Sequence, residues 1–73
     1  MGRLAGVSGR IAVKKFLQLG YSITRQRGSH VRLHHADPKH RPLTVPLHAE
    51  LKKGLLHQLI KDAGLTVKDF LDL

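Results

Sequence analysis

YSITRQRGSHVRLHH, residues 21–35, contains two strand-like runs separated by a glycine-containing turn. Apolar and polar residues alternate in residues 21–25 and again in residues 30–35, which is the period of a half-buried strand. Residues 27–29 supply the turn. The segment therefore predicts an antiparallel β-hairpin. The apolar members of its two runs are Tyr21, Ile23, Val31 and Leu33.

The alternation also assigns side chains to the two faces of the hairpin. If Val31 and Leu33 face a helical layer, then His30, Arg32 and His34 face solvent together. The sequence therefore predicts an open sheet face that carries imidazole and guanidinium groups.

The chain after this hairpin continues the sheet and then becomes helical. A turn is predicted at residues 36–41 and a short third strand at residues 43–45, between two prolines. Apolar residues at helical spacing follow in residues 55–63, and Gly64 ends that helix. Thr66 is predicted to cap one further turn.

The chain before the hairpin predicts one helix. Ser8 has the side chain of an N-cap residue, and Gly20 is suited to end the helix. Residues 1–7 show no period and are predicted to form a mobile leader. The clearest apolar stripe of the helix consists of Val13, Phe16 and Leu17.

The order helix, three strands, helix predicts a single α+β domain over residues 1–73. Both helices are expected to cover one face of a three-stranded antiparallel sheet and to leave the other face open. A chain of this length buries only one small core.

The charge balance of the chain favours polyanionic partners. Thirteen Lys and Arg oppose five Asp and Glu, which gives a formal charge of +8 with histidine neutral. The absence of cysteine excludes disulfides and thiolate metal sites. No apolar run approaches the roughly 20 residues of a membrane span. We therefore expect a cytoplasmic protein with no membrane partner.

Six histidines raise the question of a metal site. His30 and His34 share a predicted face, but their Cα atoms would lie about 13 Å apart along a strand, too far for one zinc ion. No His-Glu-x-x-His motif or cysteine pair is present. The sequence therefore predicts neither a metal nor another cofactor.

Residues 25–30, RQRGSH, combine cations, a flexible glycine and an imidazole at the predicted turn. An imidazole can transfer protons near neutral pH, and arginine binds phosphate through forked hydrogen bonds. Glycine lets the backbone approach a phosphate, to which serine offers a hydroxyl or an amide. The candidates are catalytic His30, with Arg25, Arg27, Gly28, Ser29 and Arg32 as phosphate ligands.

A second candidate phosphate site lies at the beginning of the last long helix. Lys52 and Lys53 stand where the helix dipole favours an anion, so their positive charges are locally unfavourable and hint at a ligand. His48 is predicted near the sheet edge.

Several of these motifs together resemble the HicA family of toxins, also called YcfA-like proteins, from about Ser8 to Phe70. The resemblance implies a fold similar to double-stranded RNA-binding domains, mRNA cleavage that halts translation, and neutralisation by a HicB-type antitoxin. It also implies that His30, in the Gly-Ser-His element, is the catalytic residue, and that His48 has a structural or RNA-contacting role. The matching motifs are Gly20-Tyr21, Arg25 to His30, Val45-Pro46-Leu47-His48, Lys52 to Leu56, and Ala63-Gly64-Leu65.

Two main function classes remain open at this stage. The first is a metal-independent ribonuclease toxin that acts through His30. The second is a noncatalytic double-stranded RNA-binding module that uses the basic first helix together with Lys52 and Lys53. A third and weaker alternative is a domain whose basic face binds an acidic protein.

Overall fold

The computed structural model describes residues 4–73, which form one antiparallel sheet with helices packed on one face. The strand order β1-β2-β3 makes β2 central and leaves β1 and β3 at the edges. The predicted α+β fold is confirmed. Its elements are α1 (Gly9–Leu19), β1 (Ser22–Arg27), β2 (His30–His34), β3 (Leu43–Pro46), α2 (Lys53–Asp62) and α3 (Val67–Leu71).

The helix ends follow the capping residues of the sequence. The Ser8 hydroxyl accepts a hydrogen bond from the Ile11 amide at 3.1 Å and begins α1. Gly20 ends α1 with φ +111°, a conformation that costs glycine little. Thr66 and Asp69 form a capping box at the beginning of α3. These predicted helix boundaries are confirmed.

The buried face of α1 differs from the predicted stripe. Leu17 was predicted to belong to it, but its side chain is 41% exposed. A helix in contact with one layer buries positions i, i+3, i+4 and i+7. In α1 the first of these buried positions is a glycine, which has no apolar side chain and so is absent from the apolar pattern. The buried residues are Gly9, Ala12, Val13 and Phe16.

Strand β2 has the predicted alternation, whereas β1 does not. Val31 and Leu33 are buried and the other three residues of β2 are exposed. All six residues of β1 are exposed, and Ile23 is 48% exposed. The prediction of a half-buried first strand is therefore wrong for Ile23. The reason is that α1 and α2 pack against β3, at the other edge of the sheet.

The segment before α1 also corrects the sequence interpretation. Leu4 and Val7 are buried in the core, although residues 1–7 were predicted to be a leader. The carbonyl of Val7 accepts a hydrogen bond from the Leu51 amide at 2.8 Å. Residues 4–7 therefore pack against the chain ahead of α2, and residues 1–3 lie outside the described part.

Aromatic rings fill the core between α1, α3 and the start of β1. The Phe16 ring lies 5.4 Å from Phe70 and 5.7 Å from Tyr21, measured between centroids. The Tyr21 hydroxyl donates a 2.7 Å hydrogen bond to the Arg41 carbonyl. Burial is the main cause that raises the pKa of Tyr21 to about 12, and the negative charge of Asp62 adds to it.

No helix between residues 4 and 73 is long and apolar enough to cross a membrane.

Replacing Tyr21 is expected to change stability in a pH-dependent way. Tyr21→Phe removes one hydrogen bond and should lower the free energy of unfolding by about 1 kcal/mol at neutral pH. Folding raises the pKa of Tyr21 from 10.0 to about 12. The contribution of this shift to the free energy of unfolding is therefore complete below pH 10, and it is lost as the pH rises through 12. Urea unfolding at a series of pH values should show this alkaline decline in the parent chain and less of it in Tyr21→Phe. Parallel pH profiles would contradict the assignment.

Candidate nucleic-acid interface

The open face of the sheet is built around β2. Because Val31 and Leu33 point towards the helices, the exposed His30, Arg32 and His34 project from the opposite face. This arrangement matches the faces predicted from the alternation. It puts imidazole and guanidinium side chains on a surface that α1, α2 and α3 leave uncovered.

A β-bulge in β1 adds two further cations to this face. Ile23 pairs with Leu33, but the next pair is Arg25 with Arg32, so Thr24 is an extra residue in β1. Without the bulge, Arg25 would follow Ile23 onto the helical side, because side chains alternate with a period of two. The bulge reverses the alternation and carries Arg25 and Arg27 to the open face.

The bulge is held by side chains of the same face. The Thr24 hydroxyl lies 2.7 Å from Nδ1 of His34 and 3.4 Å from the Arg32 carbonyl. His34 therefore connects β2 to the extra residue of β1. Its contact gives this histidine a structural role at the point where the strand alternation changes.

Five side chains line a recess of about 230 Å³ on the open face. Arg27 is directly opposite His30, and Arg25 is directly opposite Arg32. Nη1 of Arg32 donates a 2.8 Å hydrogen bond to the Thr44 hydroxyl on β3. The register thus brings one imidazole and three guanidinium groups together. The lining residues are Arg25, Arg27, His30, Arg32 and Thr44.

Thr44 is the lining residue that the sequence interpretation missed. It alternates with the buried Leu43 and Val45 and pairs with Arg32 across the sheet. Those alternating neighbours predict its face once β3 is known to be a strand. The sequence does not show that Thr44 pairs with Arg32, and this pairing is what places Thr44 in the recess.

The arginines of the recess carry no acidic partner within residues 4–73. The two salt bridges in this part of the chain are Lys39–Asp37 and Lys68–Asp72, both elsewhere. Like charges directly opposite each other on a sheet are destabilising, and Arg25 faces Arg32 in that way. A bound polyanion would relieve this repulsion.

The hairpin turn borders the recess without lining it. Gly28 has φ +58° and is the first of the two turn residues, as in a type II′ turn. The carbonyl of Ser29 accepts a 2.7 Å hydrogen bond from the Leu47 amide. The turn therefore holds Arg27 and His30 opposite each other and is tied to the end of β3.

The second candidate phosphate site is separate from the recess. Lys52 is the N-cap residue of α2 and makes no side-chain capping bond, while Lys53 begins the helix. Both are exposed, and neither lines the recess. His48 is exposed too, and its carbonyl accepts a 2.9 Å hydrogen bond from the Gly9 amide.

Two other histidines bind the loop between β2 and β3 to the helices. Nδ1 of His35 accepts a hydrogen bond from the Asp37 amide at 2.9 Å, and its Nε2 lies 3.1 Å from the Leu19 carbonyl. Nδ1 of His40 bonds the Ala63 carbonyl. No group of three or more potential metal ligands occurs within residues 4–73.

The topology is that of a small α+β domain with a fold similar to double-stranded-RNA-binding domains. Comparison with protein families gives a match over residues 9–65 to the model described as HicA toxin of bacterial toxin-antitoxin. The match covers well over half of the chain, so the protein belongs to the HicA toxin family. A comparison with curated proteins gave no match.

Proposed function

We propose that this toxin is an endoribonuclease that cleaves mRNA without a metal ion, with His30 as its acid/base group. The observation that supports this proposal is the recess in which His30 lies among Arg25, Arg27 and Arg32. Membership of the toxin family supplies the biological context. An mRNA substrate would make the cytoplasm its place of action.

The proposed reaction needs a proton carrier and several cations. A base removes the proton of a 2′-hydroxyl, whose oxygen attacks the adjacent phosphorus while the bond to the 5′-oxygen breaks. An acid protonates that leaving oxygen. Imidazole serves either step, and guanidinium groups stabilise the additional charge on the phosphate. His30 is exposed, so an RNA strand can reach it.

Cleavage of defined RNAs tests this function directly. The purified chain is incubated with single-stranded RNA in EDTA, beside the same RNA with one 2′-deoxynucleotide at the mapped cleavage position. We expect cleavage in EDTA that leaves a cyclic phosphate, and no cleavage at the deoxynucleotide. Activity that disappears in EDTA and returns with magnesium would contradict the proposal.

Arg32 is expected to contribute to RNA binding through its charge and its fork of donors. Arg32→Gln should weaken binding of single-stranded RNA about tenfold, as expected for loss of a charge-assisted hydrogen bond. It should also reduce the slope of log affinity against log salt by about 0.7.

A matched variant separates the recess from net charge. Lys61→Gln removes one positive charge from the exposed last turn of α2, and it should change the affinity much less than Arg32→Gln does. Fluorescence anisotropy at a series of salt concentrations measures both variants. Equal effects of the two substitutions would mean that the recess is not the binding surface.

The alternative function is noncatalytic binding of duplex RNA. It is favoured by the helix-sheet topology and by Lys52 and Lys53 at the uncapped start of α2. Tight binding of duplex RNA, with no cleavage of any RNA over long incubation, would support it. In that case a Lys52→Gln and Lys53→Gln double variant should weaken binding more than His30→Ala does.

We further propose that a HicB-type antitoxin neutralises the protein by covering the face that carries His30. The arginines of that face have no acidic partner among residues 4–73, so they suit an acidic surface on the antitoxin. Footprinting of the complex should protect His30 and Arg32. Protection confined to the helical face, with His30 still modifiable, would contradict this mode of inhibition.

A further inference from the structure

A second recess lies on the helical side of the sheet, between α1 and the edge strand β1. It has a volume of about 400 Å³. Its apolar floor includes Leu17, Ile23, Val31 and Leu47, and Arg10 and Lys14 provide a basic border. Leu17 and Ile23 are 41% and 48% exposed, so two large apolar side chains meet water here. We call this recess the α1–β1 groove.

The groove is continuous with an unpaired sheet edge. Among residues 4–73, strand β1 pairs only with β2, and no strand of this part of the chain covers its other edge. Such an edge is a template for another strand. An added strand would send alternate side chains into the groove and onto the open face.

The charges beside the β1 edge determine which kind of added strand would pair with it most favourably. On the open face, Arg25 and Arg27 would be the cross-strand neighbours of the added strand. On the helical side, the neighbours would be Ile23 and the basic border of the groove. Opposite charges stabilise cross-strand pairs, and like charges directly opposite destabilise them. The favoured strand therefore alternates acidic residues with apolar ones.

A second copy of the chain fits this edge poorly. Pairing of β1 with β1 would bring Arg25 and Arg27 of one copy against the same arginines of the other. Each copy also carries a formal charge of +8. RNA fits the apolar floor poorly, since phosphates gain nothing from contact with Leu17 and Ile23.

We propose that the α1–β1 groove and the β1 edge bind an extended acidic segment of a partner polypeptide, which adds a fourth strand to the sheet. Its apolar side chains enter the groove, and its carboxylates face Arg25 and Arg27. This mode of recognition is strand addition, in which main-chain hydrogen bonds provide affinity and side-chain pockets provide specificity. It does not depend on whether His30 cleaves RNA.

Selection from a random library of ten-residue displayed peptides tests the proposal on the immobilised full chain. The enriched peptides are expected to alternate Asp or Glu with Val, Ile or Leu. A synthetic peptide of the enriched sequence should lose at least tenfold in affinity for Ile23→Asp and for Lys14→Glu. Both sites are exposed, so both variants should keep the parent circular dichroism spectrum.

Leu55→Asp is the matched control for Ile23→Asp. Leu55 is 37% exposed on α2, away from the groove, and its substitution should leave the affinity unchanged. Hydrogen exchange should show new protection of β1 amides when the peptide is bound.

Three results would overturn the proposal. The first is a selection that enriches no acidic and apolar alternation. The second is peptide binding that is unaffected by both groove variants. The third is a different occupant of the edge: either dimerisation of the chain that Ile23→Asp abolishes, or protection of β1 by duplex RNA in place of the peptide.

Discussion

His30→Ala should lower RNA cleavage by about 10²–10⁴-fold, the usual contribution of a positioned acid or base. The exposed His30 side chain contributes little to the core, so the variant should fold like the parent chain. Its RNA affinity should change little, because Arg25, Arg27 and Arg32 remain in the recess. A loss of rate with affinity retained is the expected signature of proton transfer. Single-turnover cleavage and anisotropy measure the two quantities separately.

Two further variants make this test specific. His57→Ala removes another exposed imidazole, on α2, and should leave the cleavage rate unchanged. His30→Gln keeps a polar side chain of similar reach but cannot exchange a proton near neutral pH, so it should be as inactive as His30→Ala. Full activity of a folded His30→Ala variant would remove the catalytic role that we propose for this residue.

The central strand could be predicted from sequence because its environment is local. Val31 and Leu33 alternate with polar residues, and β2 has one buried and one exposed face in the structure. Gly28 and Gly20 also act within a few residues of their position in the chain, as turn and helix end. These local features are sufficient to predict the hairpin, the bounds of α1 and the exposure of His30.

The bulge could not be predicted because it is a property of two strands together. Apolar and polar residues of β1 also alternate if the strand is read without a bulge. That register would turn Arg25 and Arg27 towards the helices. The extra residue becomes visible only when Ile23 is matched to Leu33 and Arg25 to Arg32. The sequence thus provided the cations of the site but not the reason that they share its face.

Long-range packing explains the other differences. Leu4 and Val7 have no periodic neighbours, and they are buried because the chain before α2 returns to them, as in the bond from Leu51 to Val7. Ile23 shows the opposite case, an apolar residue at strand spacing that remains 48% exposed. Local patterns report which side chains are apolar, while burial depends on where the helices lie.

At Gly9, α1 closely approaches the backbone at the end of β3. A Cβ atom at this residue would overlap the Pro46 carbonyl oxygen and would lie 2.7 Å from Cα of Leu47. The Gly9 amide also donates a 2.9 Å hydrogen bond to the His48 carbonyl. Because these neighbours are backbone atoms, a rotamer change cannot relieve the overlap.

Gly9→Ala is therefore expected to destabilise the protein by about 3 kcal/mol or more, at the upper end of the usual cost of overpacking. A chain of this length has a free energy of unfolding of only about 4–11 kcal/mol, so such a loss is a large share of the total. The displacement would reach the site as well, because the Leu47 amide bonds Ser29 and Pro46 pairs with His30. Urea unfolding followed by circular dichroism measures the change.

Gly54→Ala provides the matched control, since it adds the same methyl group to the other long helix. Among residues 4–73, a Cβ atom built at Gly54 meets nothing within 4 Å apart from its chain neighbours and the backbone of its own helix, α2. Alanine favours a helix over glycine, so Gly54→Ala should stabilise the protein by about 0.5–1 kcal/mol. The two substitutions should thus shift the urea midpoint in opposite directions. A shift of the same sign for both would show that the contact of Gly9 with Pro46 and Leu47 does not limit the approach of α1 to β3.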